Sequence, residues 1–174
     1  LRPAGISAWV VQADLADASE TNRLFAQATD LAGPMDILVN NASAFPTSRL
    51  ADFSPEHLAE MVQLHATGPV LLGRALAAQR RPGSIVNVTD ARSLADYDPA
   101  HVAYHASKRL LDTFTRMMAI EFAPLVRVNA IAPGMILPPD GMSAASLRHV
   151  AAASPLQTLG SVDDLLRALV YLLE

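Results

Sequence analysis

The sequence contains no cysteine, which excludes disulfides, thiol redox chemistry and thiolate–zinc coordination. It has no apolar run long enough to span a bilayer, and its opening stretch, LRPAGISAWVVQADLAD, does not read as a signal peptide. A cytoplasmic protein with no membrane partner is therefore expected. Positive charge is also scarce. Lys plus Arg number 13 against 17 Asp plus Glu, a net charge of −4, and nucleic acid is a poor partner because phosphate neutralisation needs a basic face. The one dense basic run, Arg80-Arg81, precedes Pro82-Gly83 and reads as a solvated loop. NAS at Asn41 and NVT at Asn87 match a glycosylation pattern, but both fall at strand ends and are read as accidental.

What is present is a chain of 174 residues, 51% hydrophobic, enough for one domain over residues 1–174 with a sizeable core. Strand-like and helix-like segments alternate along it. SAWVVQADL reads as a buried strand ending at a turn at Asp14, and SETNRLFAQATDLAG as a helix capped by Ser19 and closed by Gly33. MDILVNNAS is a short strand that breaks at two asparagines. A helix starts near Ser54-Pro55 and continues to Leu76, and GSIVNVTD is the next strand. The helix around Tyr104 runs to about Phe122, VRVNAIAPG is a strand closed by Pro133-Gly134, and SVDDLLRALVYLLE is a capped terminal helix. The irregular stretch LPPDGMSAASLRHVAAASPLQTLGS holds a small helical piece at 144–152 and suits a substrate lid.

Apolar strands without polar alternation, separated by helices, predict a parallel sheet covered on both faces. Such sheets bind ligands beyond the carboxyl ends of their strands. Asp14, residues 40–43, Thr89 with Asp90, and residues 133–135 all occupy such ends. Tyr104 and Lys108 stand one helical turn apart nearby, and alone the pair is weak, since residues four apart on a helix are neighbours by geometry. The chemical reading is a phenol acting as general acid beside an ammonium that favours its ionised form.

Taken together, Asp14, NNAS, a polar strand end, YHASK and PG, in this order, resemble the short-chain dehydrogenase/reductase family over nearly the whole chain. The resemblance implies a three-layer, doubly wound, Rossmann-like α/β fold. It implies that Asp14 contacts the adenine ring, with Leu15 beside it, and that Asn41, Ala42 and Ser43 form the strand end lining the cofactor. Tyr104 is then the proton donor or acceptor. Lys108 holds the nicotinamide ribose and lowers the tyrosine pKa. Pro133, Gly134 and Met135 form the turn beside the nicotinamide. Read without the family, Asp14 and Asn40 are turn-forming and capping residues.

Two positions depart from the family pattern. Serine usually ends the third strand, but here Asp90 stands there, with slightly longer spacing to Tyr104. Asparagine is usual within QLHATGP, but here it is His65, either a polar replacement touching the cofactor or a packed helix histidine. The aspartate resembles the pteridine and dihydromonapterin reductases of this family, as does NNASAF, whose Phe45 would stack on a pterin ring. Asp90 would then accept hydrogen bonds from ring and amino N–H donors. The alternatives are a loop cap for Asp90 and a loop anchor for Phe45. His101 and His105 stand four apart without a third ligand at suitable spacing, so they read as a surface pair and no metal is expected.

The family opens with a strand and a glycine-rich turn for the cofactor pyrophosphate. Roughly fifty residues carrying that first strand–helix–strand unit are expected upstream of Leu1, and a last strand beyond Glu174. The branch implies NADP(H), with NAD(H) the alternative. The leading expectation is a reductase of a pterin-like small molecule; a general carbonyl or 3-oxoacyl reductase comes second, and an inert family member with an assembly role third. Apolar residues on more than one face of the helices near 61–76 and 108–122 suit a homodimer or homotetramer.

Overall fold

A computed structural model of the chain describes residues 5–95, 98–138 and 141–174. Three strands, β1 (Ile37–Asn40), β2 (Gly83–Val88) and β3 (Val126–Ile131), form a parallel sheet in the order β1-β2-β3. In register, Asn40 lies beside Asn87, and Val88 beside Ile131, so the carboxyl ends share one edge of the sheet. Each connection passes through helix: α1 (Ala18–Ala32) precedes β1, while α2 (Pro55–Val62) and α3 (Gly68–Ala78) join β1 to β2. After β2 come α4 (Ala91–Ala95) and α5 (Val102–Glu121), and after β3 come α6 (Ala144–Ala153) and α7 (Val162–Leu173). The result is the expected Rossmann-like α/β fold.

Alternation along the strands divides the two faces. Ile85, Val126 and Val128 pack with Leu76 of α3 and Met118 of α5 to form the core. On the opposite face Arg127 donates to the Leu172 and Leu173 carbonyls at the end of α7. The core-facing Asn87 is fully buried, and its two ends are both used. Its Oδ1 accepts from Asn40 Nδ2 at 2.8 Å and its Nδ2 donates to Thr115 Oγ1 at 2.8 Å, binding two strands and α5 into one network.

Residues 55–78 form one continuous helical rod interrupted by a π-turn at Gln63–Thr67. Pro69 explains the turn. A proline inside a helix has no N–H and its ring clashes with the carbonyl four residues back. Widening the preceding turn relieves this, and the Gly68 N–H accordingly bonds the Gln63 carbonyl, five residues back. A side chain at Gly68 would bring its Cβ within 3.1 Å of that carbonyl oxygen.

Three expectations are corrected. SAWVVQADL joins no strand of the sheet, and Trp9 and Val10 are 51% and 95% exposed. An apolar pattern makes a strand only where another strand offers a ladder, and none of the three runs beside it. Helix α1 is capped by Asp17 rather than Ser19, because the carboxylate accepts from both the Ser19 and Glu20 amides at 2.7 and 3.0 Å. His105 is buried, not part of a surface pair. The stretch read as a lid does contain α6, but its Pro139 and Asp140 lie outside the described residues. Among the described residues no helix is long and apolar enough to cross a membrane.

The Asn87 network makes a direct test. Thr115→Val keeps the shape but removes the acceptor of a buried amide, which should cost about 1–3 kcal/mol in chemical denaturation. A variant as stable as the parent would show that the network adds nothing.

Candidate active site

The strand ends are tied together before any side chain of the site is placed. Thr89 N–H donates to the Ile131 carbonyl at 2.8 Å, and Ala91 N–H to the Pro133 carbonyl at 3.0 Å. The loop after β1 is fastened to the start of α5. Ser48 N–H donates to the Ala100 carbonyl and Val102 N–H to the Ser48 carbonyl, while Ser48 Oγ accepts from Ala103 N–H at 3.0 Å. Helix α5 has no side-chain cap from His101, so this serine from another loop serves instead.

That arrangement brings Asp90, Tyr104 and Lys108 together. The Tyr104 hydroxyl donates to Asp90 Oδ2 at 3.1 Å, and Asp90 Oδ1 accepts the Ser93 N–H at 2.6 Å. Asp90 is thus both the loop cap and the partner of the phenol. Lys108 Nζ donates to the Val88 carbonyl at 2.8 Å and stands 5.8 Å from the Tyr104 ring centre. Both helix residues are buried. Burial first, and then the neighbouring Asp90 carboxylate, push the Tyr104 phenol well above the usual tyrosine range. The net shift is thus opposite to the one expected from Lys108: burial and the carboxylate in contact outweigh the ammonium, which donates to the Val88 carbonyl. Tyr104 is a neutral phenol that keeps its proton across the neutral range. Burial pulls Lys108 down to about 8, against the pull of Asp90.

His65, on the π-turn, reaches into the same centre. Its Nε2 accepts the Ala44 N–H at 3.1 Å and lies 3.2 Å from Ser43 Oγ, while Nδ1 lies 2.8 Å from Ser107 Oγ. Burial, with Lys108 nearby, holds its pKa down to about 4, so the ring is neutral. Leu15, Asn41, Ala42, His65 and Lys108 line a cavity of about 180 Å³ with otherwise mostly apolar walls. An ammonium carries three donors, and among the described residues Lys108 spends one, on Val88. A ribose has adjacent hydroxyls that can accept from an ammonium and a phenol. The donor set therefore fits the nicotinamide-ribose half of a dinucleotide. Among the described residues, none of the eight glycines stands in a glycine-rich turn ahead of a helix, the feature that would hold the pyrophosphate half.

The other expected residues are placed unevenly. Asp14 is exposed and accepts the Ala16 N–H at 2.9 Å, the local turn that its bland reading described. Pro133 touches the Asp90 loop through its carbonyl, whereas Gly134 and Met135 do not line the cavity. A Cβ on Gly134 would meet no atom within 4 Å, so no protein contact requires glycine there. Phe45 stands at the mouth, 55% exposed and edge-on to Tyr104 at 4.6 Å, but one face is stacked on His101 at 3.8 Å. Sequence reasoning missed Ser93, Ser107 and the bond from Asp98 N–H to His105 Nε2 at 3.0 Å, with Nδ1 of His105 2.7 Å from Ser93 Oγ. The two serines carried no signal, being small polar residues without a motif. Among the described residues, no group of three His, Cys, Asp or Glu side chains converges as a metal site would.

Residues 2–174 match the family described as enoyl-(acyl carrier protein) reductase. An uncharacterised oxidoreductase of Mycobacterium tuberculosis is 34% identical over 99% of this chain and 68% of its own length. The L-xylulose reductase of Bos taurus is 34% identical, over 92% of this chain and 67% of its own. Among solved structures, the FolM alternative dihydrofolate reductase 1 of Brucella canis, complexed with NADP, superposes with a TM-score of 0.85 at 32% identity. The likeness covers 94% of this chain and 65% of that one.

The buried cation gives a cofactor-free measurement. Lys108 should lose its charge as pH rises through about 8, rather than through its ordinary 10.5. Because Asp90 raises that value, Asp90→Asn should lower it further. Nitrogen NMR of the lysine Nζ reads both, and a Lys108 titrating at the ordinary value would contradict the geometry.

Proposed function

Because the chain belongs to the short-chain dehydrogenase/reductase family, we propose that it is an NADPH-dependent reductase of a flat C=N heterocycle of the dihydropterin type. The observation that carries this reading is the Tyr104 hydroxyl held on the Asp90 carboxylate at 3.1 Å. A carboxylate at the reacting centre suits a ring edge rich in amino and ring N–H donors, whereas a ketone brings only acceptor lone pairs. The likeness to the Brucella canis reductase with its NADP supports both the substrate class and the cofactor.

Lys108 and Tyr104 would hold the nicotinamide ribose, and Asn41, Ala42 and His65 would line its pocket. When bound, the cofactor supplies a hydride to the substrate carbon. Tyr104 supplies the proton, its O–H passing from Asp90 to the substrate nitrogen, so the C=N bond gains hydride at carbon and proton at nitrogen. Asp90, released from the phenol, accepts from the amino and ring donors of the substrate. The phenolate left behind has the Lys108 ammonium as its nearby cation and regains its proton from solvent. Phe45 offers a face at the mouth, although His101 already covers the other.

A carbonyl substrate is the second reading, favoured by the likeness to L-xylulose reductase and by the occupied face of Phe45. Homo-oligomer formation belongs to the same proposal, since Met117 and Ile120 on the outer side of α5 are 57% and 81% exposed.

Tyr104→Phe in the full-length protein should bind NADPH normally and lose about 10²–10⁴-fold in turnover. Near-normal turnover would remove Tyr104 from the mechanism. For the substrate, NADPH-dependent reduction of dihydropterins is compared with that of small ketones and acetoacetyl thioesters. A preference for the dihydropterin of at least about tenfold is expected, and Asp90→Ser should narrow it. Efficient thioester reduction without dihydropterin turnover would transfer the assignment to the carbonyl reading.

A further inference from the structure

We infer that His65 is a positioning residue that sets the Phe45 loop against the Tyr104 helix, governing substrate affinity through one ring nitrogen and proton transfer through the other. The inference rests on the assignment of Tyr104 as proton donor.

The hydrogens in this centre have only one consistent arrangement. The Ala44 amide can only donate, so Nε2 of His65 carries a lone pair, with Ser43 Oγ also near it at 3.2 Å. A neutral imidazole then bears its proton on Nδ1 and donates it to Ser107 Oγ. Ser107 in turn donates to the Tyr104 carbonyl at 2.7 Å. The two ends of this chain are the residue before Phe45 and the backbone of the proton donor itself. Between them His65 is 1% exposed and meets the Tyr104 ring edge-on at 5.5 Å. Because the π-turn carries the ring, its position follows from the backbone around Pro69 and not from a flexible side chain. A protonated His65 would set an N–H against the Ala44 N–H. Burial and the Lys108 charge oppose that form.

Two amide substitutions separate the two nitrogens. In His65→Asn the side-chain amide stands near the Nδ1 position and can keep the Ser107 link, while the Ala44 link is lost. In His65→Gln an oxygen reaches the Nε2 position and can keep the Ala44 link, while the Ser107 link is lost. For the full-length enzyme, His65→Asn should raise KM for the reducible substrate about tenfold and leave kcat within about threefold. His65→Gln should do the reverse, with kcat down about tenfold and KM within about threefold. Parallel changes in both constants in both variants would overturn the proposal, since a merely structural histidine has no reason to split them. A second measurement needs neither substrate nor variant. Nitrogen NMR of the unliganded protein should show His65 protonated at Nδ1, bare at Nε2, and unchanged down to about pH 5. The opposite tautomer, or titration near the ordinary histidine value, would overturn the proposal even if the variants fail to fold. If a carbonyl substrate replaces the dihydropterin while the tautomer and the split are both seen, the assignment of His65 stands and only the substrate class changes.

Discussion

Helix α5 is held to the sheet by a line of polar contacts, and the site exists because that line is in register. Thr115 accepts from Asn87, Lys108 donates to the Val88 carbonyl, and Tyr104 donates to Asp90. Positions fall along the helix as they rise along the strand, so the helix runs antiparallel to β2. Apolar packing from Met118 and Leu111 supplies burial but tolerates small slides, because dispersion has little direction. Hydrogen bonds do not tolerate them. A shift of one helical turn would break all three contacts at once and leave buried donors unpaired. The catalytic spacing is therefore a by-product of how the helix is anchored.

The same contacts decide which way protons run. Among the described residues at its centre are an anion, Asp90, and a cation, Lys108, with a neutral phenol and a neutral imidazole between and beside them. Burial disfavours charge on Tyr104, Lys108 and His65 alike, which raises the first and lowers the other two, to about 8 for Lys108 and about 4 for His65. Around neutral pH the phenol keeps its proton and the ammonium keeps its charge. A phenol poised in this way holds its proton tightly, since giving it up leaves a phenolate beside the Asp90 carboxylate with the Lys108 ammonium as the nearby opposite charge.

Much of this was legible in the sequence. The three strands of the sheet, the closing role of Gly33, the capped terminal helix and the Asp90–Tyr104–Lys108 group all followed from local pattern and order. The failures share a cause. Each depended on something not local. SAWVVQADL has the composition of a strand but lies beside none of the three strands. Asp17 and Ser19 are both good caps, and only the backbone path chose between them. His105 looked like surface because it sits four residues from His101, yet Ser93 and the Asp98 backbone enclose it. The sign of the Tyr104 shift depended on burial and on the Asp90 carboxylate, and spacing along a helix says nothing of either. The π-turn was readable in part, since Pro69 inside a helical pattern marks a disturbed turn just ahead.

Asp90 answers two demands at once. Its Oδ1 takes the Ser93 amide and so fixes the first turn of α4, while Oδ2 takes the Tyr104 hydroxyl. A serine hydroxyl carries no charge, so whatever hydrogen bonds it accepted it could not raise the phenol pKa by charge. The carboxylate thus couples the shape of the loop after β2 to the protonation of the group that acts at its mouth. In the proposed reaction, a substrate with N–H donors would displace the phenol from Oδ2 while the cap through Oδ1 persists, so the loop would not have to move while the proton does. The fixed loop and the mobile proton are two ends of one side chain.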